Sequence, residues 1–264
     1  MTEIRNAHAG YGKTEILHGV NLEIPAGSVM TVIGHNGCGK STLLKTMLGM
    51  LPLTEGEIIL DGISVKNSSP QEIAKKAAYL SQFRQCGDIS VERLVLHGRF
   101  PYLSYPRKYG KKDHEAARAA MERMGITALA ERPLRTLSGG MIQKAYIAMA
   151  LAQNASVILM DEPNSYLDIG QQFKFMQTVR ELAGDGKTIV LVLHDLLMAL
   201  SYSDAIAVMD DGRITECASP QELLKSGIIE KLFGVSVKFL ETENGRQYYY
   251  DIQKDESQNK SEEV

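Results

Sequence analysis

The chain has 264 residues, 44% of them hydrophobic and 23% charged, with a formal net charge of −3. That length fits one large α/β domain, or one domain carrying an inserted lobe, with the composition of a globular protein. The slightly acidic balance offers no bulk attraction to a polyanion, so no nucleic-acid partner is expected.

Met1-Thr2-Glu3-Ile4-Arg5 lacks the apolar core of a signal peptide, which predicts that the chain stays in the cytoplasm. Val20-Asn21-Leu22-Glu23-Ile24 alternates as a half-exposed strand does, and Pro25-Ala26-Gly27 turns the chain. Residues 29–33 form a short apolar run of the kind buried in a sheet. A glycine-rich loop follows, then a helix with Leu43, Leu44, Met47, Leu48 and Leu51 along one side, stopped by Pro52. The segment from Gly56 through Asp61-Gly62 reads as a hairpin. Ser69-Pro70-Gln71-Glu72 and Ser219-Pro220-Gln221-Glu222 are helix starts, each with a capping serine, a proline in the first turn and a glutamate three residues on.

Between about residues 91 and 153 the pattern is helical, including a helix over 113–124 that Gly125 ends. Strands return at 157–160, 188–193 and 205–209, with a helix over 169–183 between the first two. None of these apolar runs approaches the length of a bilayer span. The alternation of strand and helix predicts a parallel sheet with helices packed outside it, and the helical stretch reads as a lobe inserted in that domain. Cys38, Cys86 and Cys217 are scattered without metal-ligand spacing, in keeping with a reducing compartment.

Gly34-His35-Asn36-Gly37-Cys38-Gly39-Lys40-Ser41-Thr42 fits the phosphate-loop pattern G-x-x-x-x-G-K-[ST], with a buried strand before it and a helix after it. Glycines let backbone N–H groups turn inward around phosphates, and the helix beginning near Lys40 directs its positive end at the same anion. Lys40 is expected to neutralise the β- and γ-phosphates of a nucleotide, and the Ser41 hydroxyl to bind Mg²⁺. The apolar run 157–160 ends in Asp161-Glu162. Asp161 is expected in the Mg²⁺ shell, and Glu162 as the general base that polarises the attacking water. Leu137-Ser138-Gly139-Gly140-Met141, shortly before that strand, places serine and two glycines at a helix start, a second anion-binding nest.

With these three motifs in this order, the chain resembles the ATP-binding cassette family from about residue 11 to 233. The resemblance implies the α/β P-loop ATPase fold of that family: a parallel-sheet core, an amino-terminal antiparallel β portion and an inserted helical subdomain. It places the ATPase domain at 1–240 with the helical subdomain at about 86–153. A short extension, 241–264, follows and ends in a charged tail expected to be disordered.

Further family positions fall in order. Tyr11 matches the aromatic residue that stacks on adenine, Gln82 the glutamine that senses Mg²⁺ and water, Asp168 the aspartate that reaches across a dimer, and His194 the histidine that contacts the γ-phosphate. The resemblance implies that Asn36, Gly37, Cys38, Gly39, Lys40, Ser41 and Thr42 of one copy and Ser138, Gly139 and Gly140 of a second copy enclose each ATP. It also implies transmembrane permease subunits, with the chain at the cytoplasmic face of the membrane, and an extracytoplasmic substrate-binding protein acting through the permease. Met141 and Lys144 depart from the family's usual glutamine or glutamate and arginine, which predicts altered affinity or rate.

One cassette without a fused membrane segment resembles a separate-subunit importer. The stretch Val91-Glu92-Arg93-Leu94-Val95-Leu96-His97-Gly98-Arg99-Phe100-Pro101-Tyr102 is similar to importers of ferric siderophores, haem and cobalamin. The expectation is an ATPase that energises uptake of an iron chelate, a ferric siderophore first, with haem or cobalamin as alternative cargo and a soluble non-transport cassette ATPase as the alternative class. His8, His18, His35, His97 and His114 read as ordinary structural histidines, His35 lying at a variable position of the loop.

Overall fold

A computed structural model describes residues 1–81, 88–165, 167–243 and 245–251. Gln82, Cys86 and the charged tail at 254–264 lie outside the described residues. In chain order the elements begin with β1 (Thr2–Tyr11), β2 (Thr14–Ile24), β3 (Val29–Ile33), α1 (Lys40–Met47), β4 (Leu53–Leu60), β5 (Ile63–Ser64), α2 (Pro70–Lys76) and β6 (Ala77–Leu80). A helical stretch follows, comprising α3 (Val91–His97), α4 (Lys111–Arg123) and α5 (Gly139–Gln153). The chain returns to the sheet through β7 (Val157–Asp161), α6 (Ile169–Gly184), β8 (Thr188–Val192), α7 (Leu196–Tyr202), β9 (Ala205–Asp210) and β10 (Arg213–Ala218). It then runs through α8 (Pro220–Ser226), α9 (Ile228–Phe233), β11 (Ser236–Thr242) and β12 (Gly245–Asp251).

Among the described residues the central sheet has the order β10-β9-β3-β8-β7-β6 and is parallel except for β10. A separate antiparallel sheet, β2-β1-β4-β5, covers one side of it. The period-2 geometry of a strand explains how one run of apolar residues feeds two cores. Val29 and Ile33, Ile158 and Met160, and Ile189 and Leu191 face the core shared with α3 to α7. Their alternates Met30 and Val32, Val157 and Leu159, and Val190 and Val192 face the core shared with α1 and the antiparallel sheet. A strand buried on both faces has no polar positions to spend, which is why these three read as continuous apolar runs.

The caps form as the sequence predicts. Ser69 Oγ accepts from Glu72 N at 3.3 Å while Glu72 Oε2 accepts from Ser69 N at 2.8 Å, and Ser219 with Glu222 repeats the arrangement. The helix after the glycine-rich loop ends earlier than expected. α1 stops at Met47, because Gly49 adopts φ +66° and turns the chain before Pro52 is reached. The order of the central sheet also fixes the site: β8 lies between β3 and β7. The loops that leave the carboxyl ends of these three parallel strands therefore emerge side by side, where ligands bind in open α/β sheets.

Candidate nucleotide site

The loop after β3 is shaped by close packing. A Cβ built on Gly34 would lie 2.1 Å from the Met209 carbonyl oxygen, so only glycine fits against the end of β9. Gly39 holds φ +109°, a conformation closed to ordinary L-residues, and a Cβ there would meet Met209 Cε at 2.9 Å. This glycine caps α1 with no side-chain hydrogen bond, and the first turn of α1 contains no acidic residue. The positive end of the helix is thus left for an external anion.

Lys40, only 6% exposed, donates from Nζ to the carbonyl oxygens of Gly34 and His35, both at 2.8 Å. The ammonium is held inside the curve of its own loop, where a phosphate is the natural counter-ion for a buried cation. Cys38 lies 3.9 Å from that ammonium and is itself buried, and burial pushes its thiol above the usual range. Ser41 is half-buried and Thr42 buried in α1, whereas Asn36 and Gly37 are exposed at the crest of the loop.

Asp161 closes β7, 5% exposed, and its Oδ1 is buried without a hydrogen-bond partner among the described residues. Its Oδ2 accepts from the Tyr79 hydroxyl at 3.3 Å, and burial with this carboxylate drives the Tyr79 phenol well above its ordinary value. Glu162 follows in a left-handed conformation, φ +45°, fixed by its N–H donating to Val192 O at 3.1 Å. That bond ties the end of β7 to the end of β8. His194, two residues beyond β8, then places Nε2 2.5 Å from Glu162 Oε1. The Ser165 hydroxyl lies 3.3 Å from Glu162 Oε2. Strand order thus brings Lys40, Asp161, Glu162 and His194 to one edge of the sheet.

The remaining expected residues are Tyr11, Ser138, Gly139, Gly140 and Asp168. Tyr11 ends β1 and is 50% exposed. Ser138 is the exposed N-cap of α5 and makes no side-chain cap bond, with Gly139 and Gly140 in the first turn. A cavity of about 500 Å³ beside them is lined by Ser138, Gly140, Met141, Lys144, Gln171 and Phe175, among others, and by no residue of the phosphate loop. Asp168 caps α6, its Oδ1 accepting from Gln171 N at 2.9 Å. Within one chain the phosphate loop and the Ser138 turn therefore line separate cavities.

Two residues passed over in the sequence also belong to the site. Tyr79 sits on β6, a run of four residues too short to read as a strand. Gln143, 3% exposed, donates from Nε2 to Pro163 O at 3.2 Å and so ties α5 to the residue after Glu162. A buried amide one turn into a helix is a polar residue at a core position, and that anomaly was the available signal.

The family profile described as ABC transporter matches residues 17–165. The chain belongs to this family and is an ATP-binding cassette ATPase. Two curated relatives are the ferric enterobactin transport ATP-binding protein FepC of Escherichia coli (strain K12) and the petrobactin import ATP-binding protein FpuD of Bacillus anthracis. The first is 38% identical over 228 residues, 86% of this chain and 84% of the relative. The second is 39% identical over 233 residues, 88% of this chain and 85% of the relative. Among solved structures, the ADP conformation of an ATP-binding cassette of an ABC transporter superposes with a TM-score of 0.79. That cassette is 26% identical, with 89% of this chain and 97% of that one covered.

Proposed function

We propose that this cassette hydrolyses ATP at the edge formed by β3, β8 and β7 to energise uptake of an iron chelate, a ferric siderophore, through a separate permease. The observation that carries the catalytic reading is the Glu162–His194 pair at 2.5 Å beside the phosphate loop. Lys40 and the open amides of α1 hold the β- and γ-phosphates, and Tyr11 stacks on the adenine. Glu162 takes the proton from the attacking water, while the His194 N–H orients its carboxylate. Water adds to the γ-phosphorus as the bond to the β-phosphate oxygen breaks, releasing ADP and phosphate.

Mg²⁺ fits this residue set because Asp161 Oδ1 is a buried carboxylate oxygen lacking a partner among the described residues. Among the described residues no group of three His, Cys, Asp or Glu side chains is arranged to hold a metal unaided. That matches an ion bound by one or two protein ligands, here Asp161 and Ser41, with nucleotide phosphates and water completing its shell. Bound there, the ion would offset charge on the phosphate oxygens. Gln82 is assigned beside it from sequence only.

Cassettes of this family pair with one another and work with transmembrane permease subunits. The separate cavities support a head-to-tail pair in which Ser138, Gly139 and Gly140 of one copy close over the phosphate loop of the other and Asp168 lies at the junction. No helix among the described residues is long and apolar enough to cross a membrane, which supports a peripheral place at the cytoplasmic face. An extracytoplasmic binding protein would present the cargo.

The cargo reading rests on the relatives. Its test is uptake of labelled ferric siderophores, haem and cobalamin in a strain lacking the gene, complemented with the wild type or with Glu162→Gln. Siderophore uptake restored only by the wild type is expected. Restoration of haem or cobalamin uptake instead would move the cargo, and undiminished siderophore uptake in the deletion strain would overturn it.

A further inference from the structure

On the side of the phosphate loop away from β9 there is a cavity of about 360 Å³. Its walls include Gly34, His35 and Asn36 from the loop, His194 from the β8 end, Phe233 from the end of α9, and Tyr250 from β12. The carboxy-terminal segment therefore touches the phosphate loop at His35 and shares this cavity with His194. His35 makes the specific contact: its Nε2 lies 2.8 Å from the Leu232 carbonyl oxygen, and its ring packs 5.4 Å from the Phe233 ring. A carbonyl only accepts, so Nε2 carries the proton and donates.

The main chain of the same residue holds the loop's cation. His35 O accepts from Lys40 Nζ at 2.8 Å and from Cys38 N at 3.3 Å. On the opposite flank Gly212 N donates to Cys38 O at 3.0 Å, and Met209 O packs against Gly34. The loop is thus held from two sides, by the β9–β10 turn and by the end of α9. Only the second hold depends on a side chain of the loop itself.

We infer that His35 is a positioning residue for the phosphate loop: clasped to Leu232 O and Phe233, it fixes the carbonyl that sets the Lys40 ammonium, and makes the carboxy-terminal segment part of the nucleotide site. This rests on the ATP-site reading above. The role requires an N–H at the place of Nε2, which glutamine supplies and alanine does not.

The test uses the full chain. The dissociation constant of a fluorescent ATP analogue, the KM and kcat for ATP, and the thermal midpoint are measured for the wild type, His35→Ala, His35→Gln, Phe233→Leu and the His35→Ala/Phe233→Leu double variant. Loss of one hydrogen bond of ordinary net strength corresponds to about a fivefold change in affinity. For His35→Ala the analogue should bind about fivefold more weakly and KM should rise in step, with kcat changed by less than about twofold. His35→Gln should restore most of the affinity, and the effects of the Ala and Leu substitutions should be less than additive, as for groups in contact. Analogue binding unchanged by His35→Ala would overturn the clasp and leave the ATP site standing, as would a loss confined to kcat and thermal midpoint. Failure of the wild type to bind the analogue would overturn the ATP-site reading and the clasp with it.

Discussion

Replacing Glu162 by glutamine separates ATP binding from hydrolysis in this site. The substitution is isosteric, so the φ of +45° at this position and the bond from its N–H to Val192 O are retained. The amide oxygen still accepts from His194 where the carboxylate Oε1 lies 2.5 Å from Nε2. Only the proton-accepting capacity is lost. General-base assistance is worth about 10²- to 10⁴-fold, equivalent to roughly 3–5 kcal/mol of barrier. Phosphate release at saturating ATP should therefore fall at least about 100-fold. The dissociation constant for ATP should change by no more than about threefold, because Lys40 and the amides of α1 are untouched. The assay is steady-state phosphate release alongside equilibrium nucleotide binding and a thermal melt. A Glu162→Gln protein that hydrolyses ATP within tenfold of the wild type would refute the assignment of the base.

Gly39→Ala should abolish measurable nucleotide binding and lower the thermal midpoint. The new Cβ must sit at φ +109° against Met209 Cε, which calorimetry and binding of a fluorescent nucleotide will read. Alkylation of Cys38 should block ATP binding, and MgATP should protect the thiol. Burial raises its pKa, so labelling of the free protein should be slow at neutral pH and speed up as pH rises, while equal rates with and without MgATP would contradict this placement. Asp61 Oδ2 accepts from Ser156 Oγ at 2.7 Å and from Lys76 Nζ at 2.9 Å, which hold its carboxyl below the usual range. The folded chain then binds this proton less readily than the unfolded one. The stabilisation is complete above the unfolded value of about 3.9 and lost as pH falls through the folded value. Melts between pH 2 and 6 should show that loss, and Asp61→Asn should remove part of it.

What the sequence revealed, and what it hid, follows from the range of the interactions involved. β3, β7 and β8 are buried on both faces, so local composition betrays them, and the motifs at their ends name the residues. β1 was not legible. Register shifts between Ile4 and Ala7, Ala7 and His8, and Ala9 and Gly10, with Asn6 at φ +46°, break the period-2 alternation a reader relies on. β6 was too short to announce itself, so its Tyr79–Asp161 bond, which spans 82 positions of sequence, was equally hidden. The order of the central sheet is a tertiary fact. No local pattern places β8 between β3 and β7, yet that placement sets His194 against Glu162. His35 was dismissed because the motif allows any residue there, and its partner Leu232 lies 197 positions away.

Helix α5 is bonded to the sheet at both of its ends, to the catalytic edge only at its start. Near the start of α5, one turn past Gly139, the Gln143 amide donates to Pro163 O, immediately after Glu162. At the far end Gln153 Nε2 donates to Ala77 O at 2.8 Å, where β6 begins beside β7. Gly140 packs so closely on α6 that a Cβ there would lie 2.7 Å from Gln171 Oε1. The Gln172 amide in turn donates to Asn164 O at 3.3 Å and Leu167 O at 3.1 Å, within the segment that carries Ser165. A buried amide that loses its partner costs about 1–3 kcal/mol, so the helical lobe cannot swing on α5 without either paying that cost or carrying the 162–168 segment with it. The Gln143–Pro163 bond therefore couples the start of α5 to the segment that follows Glu162.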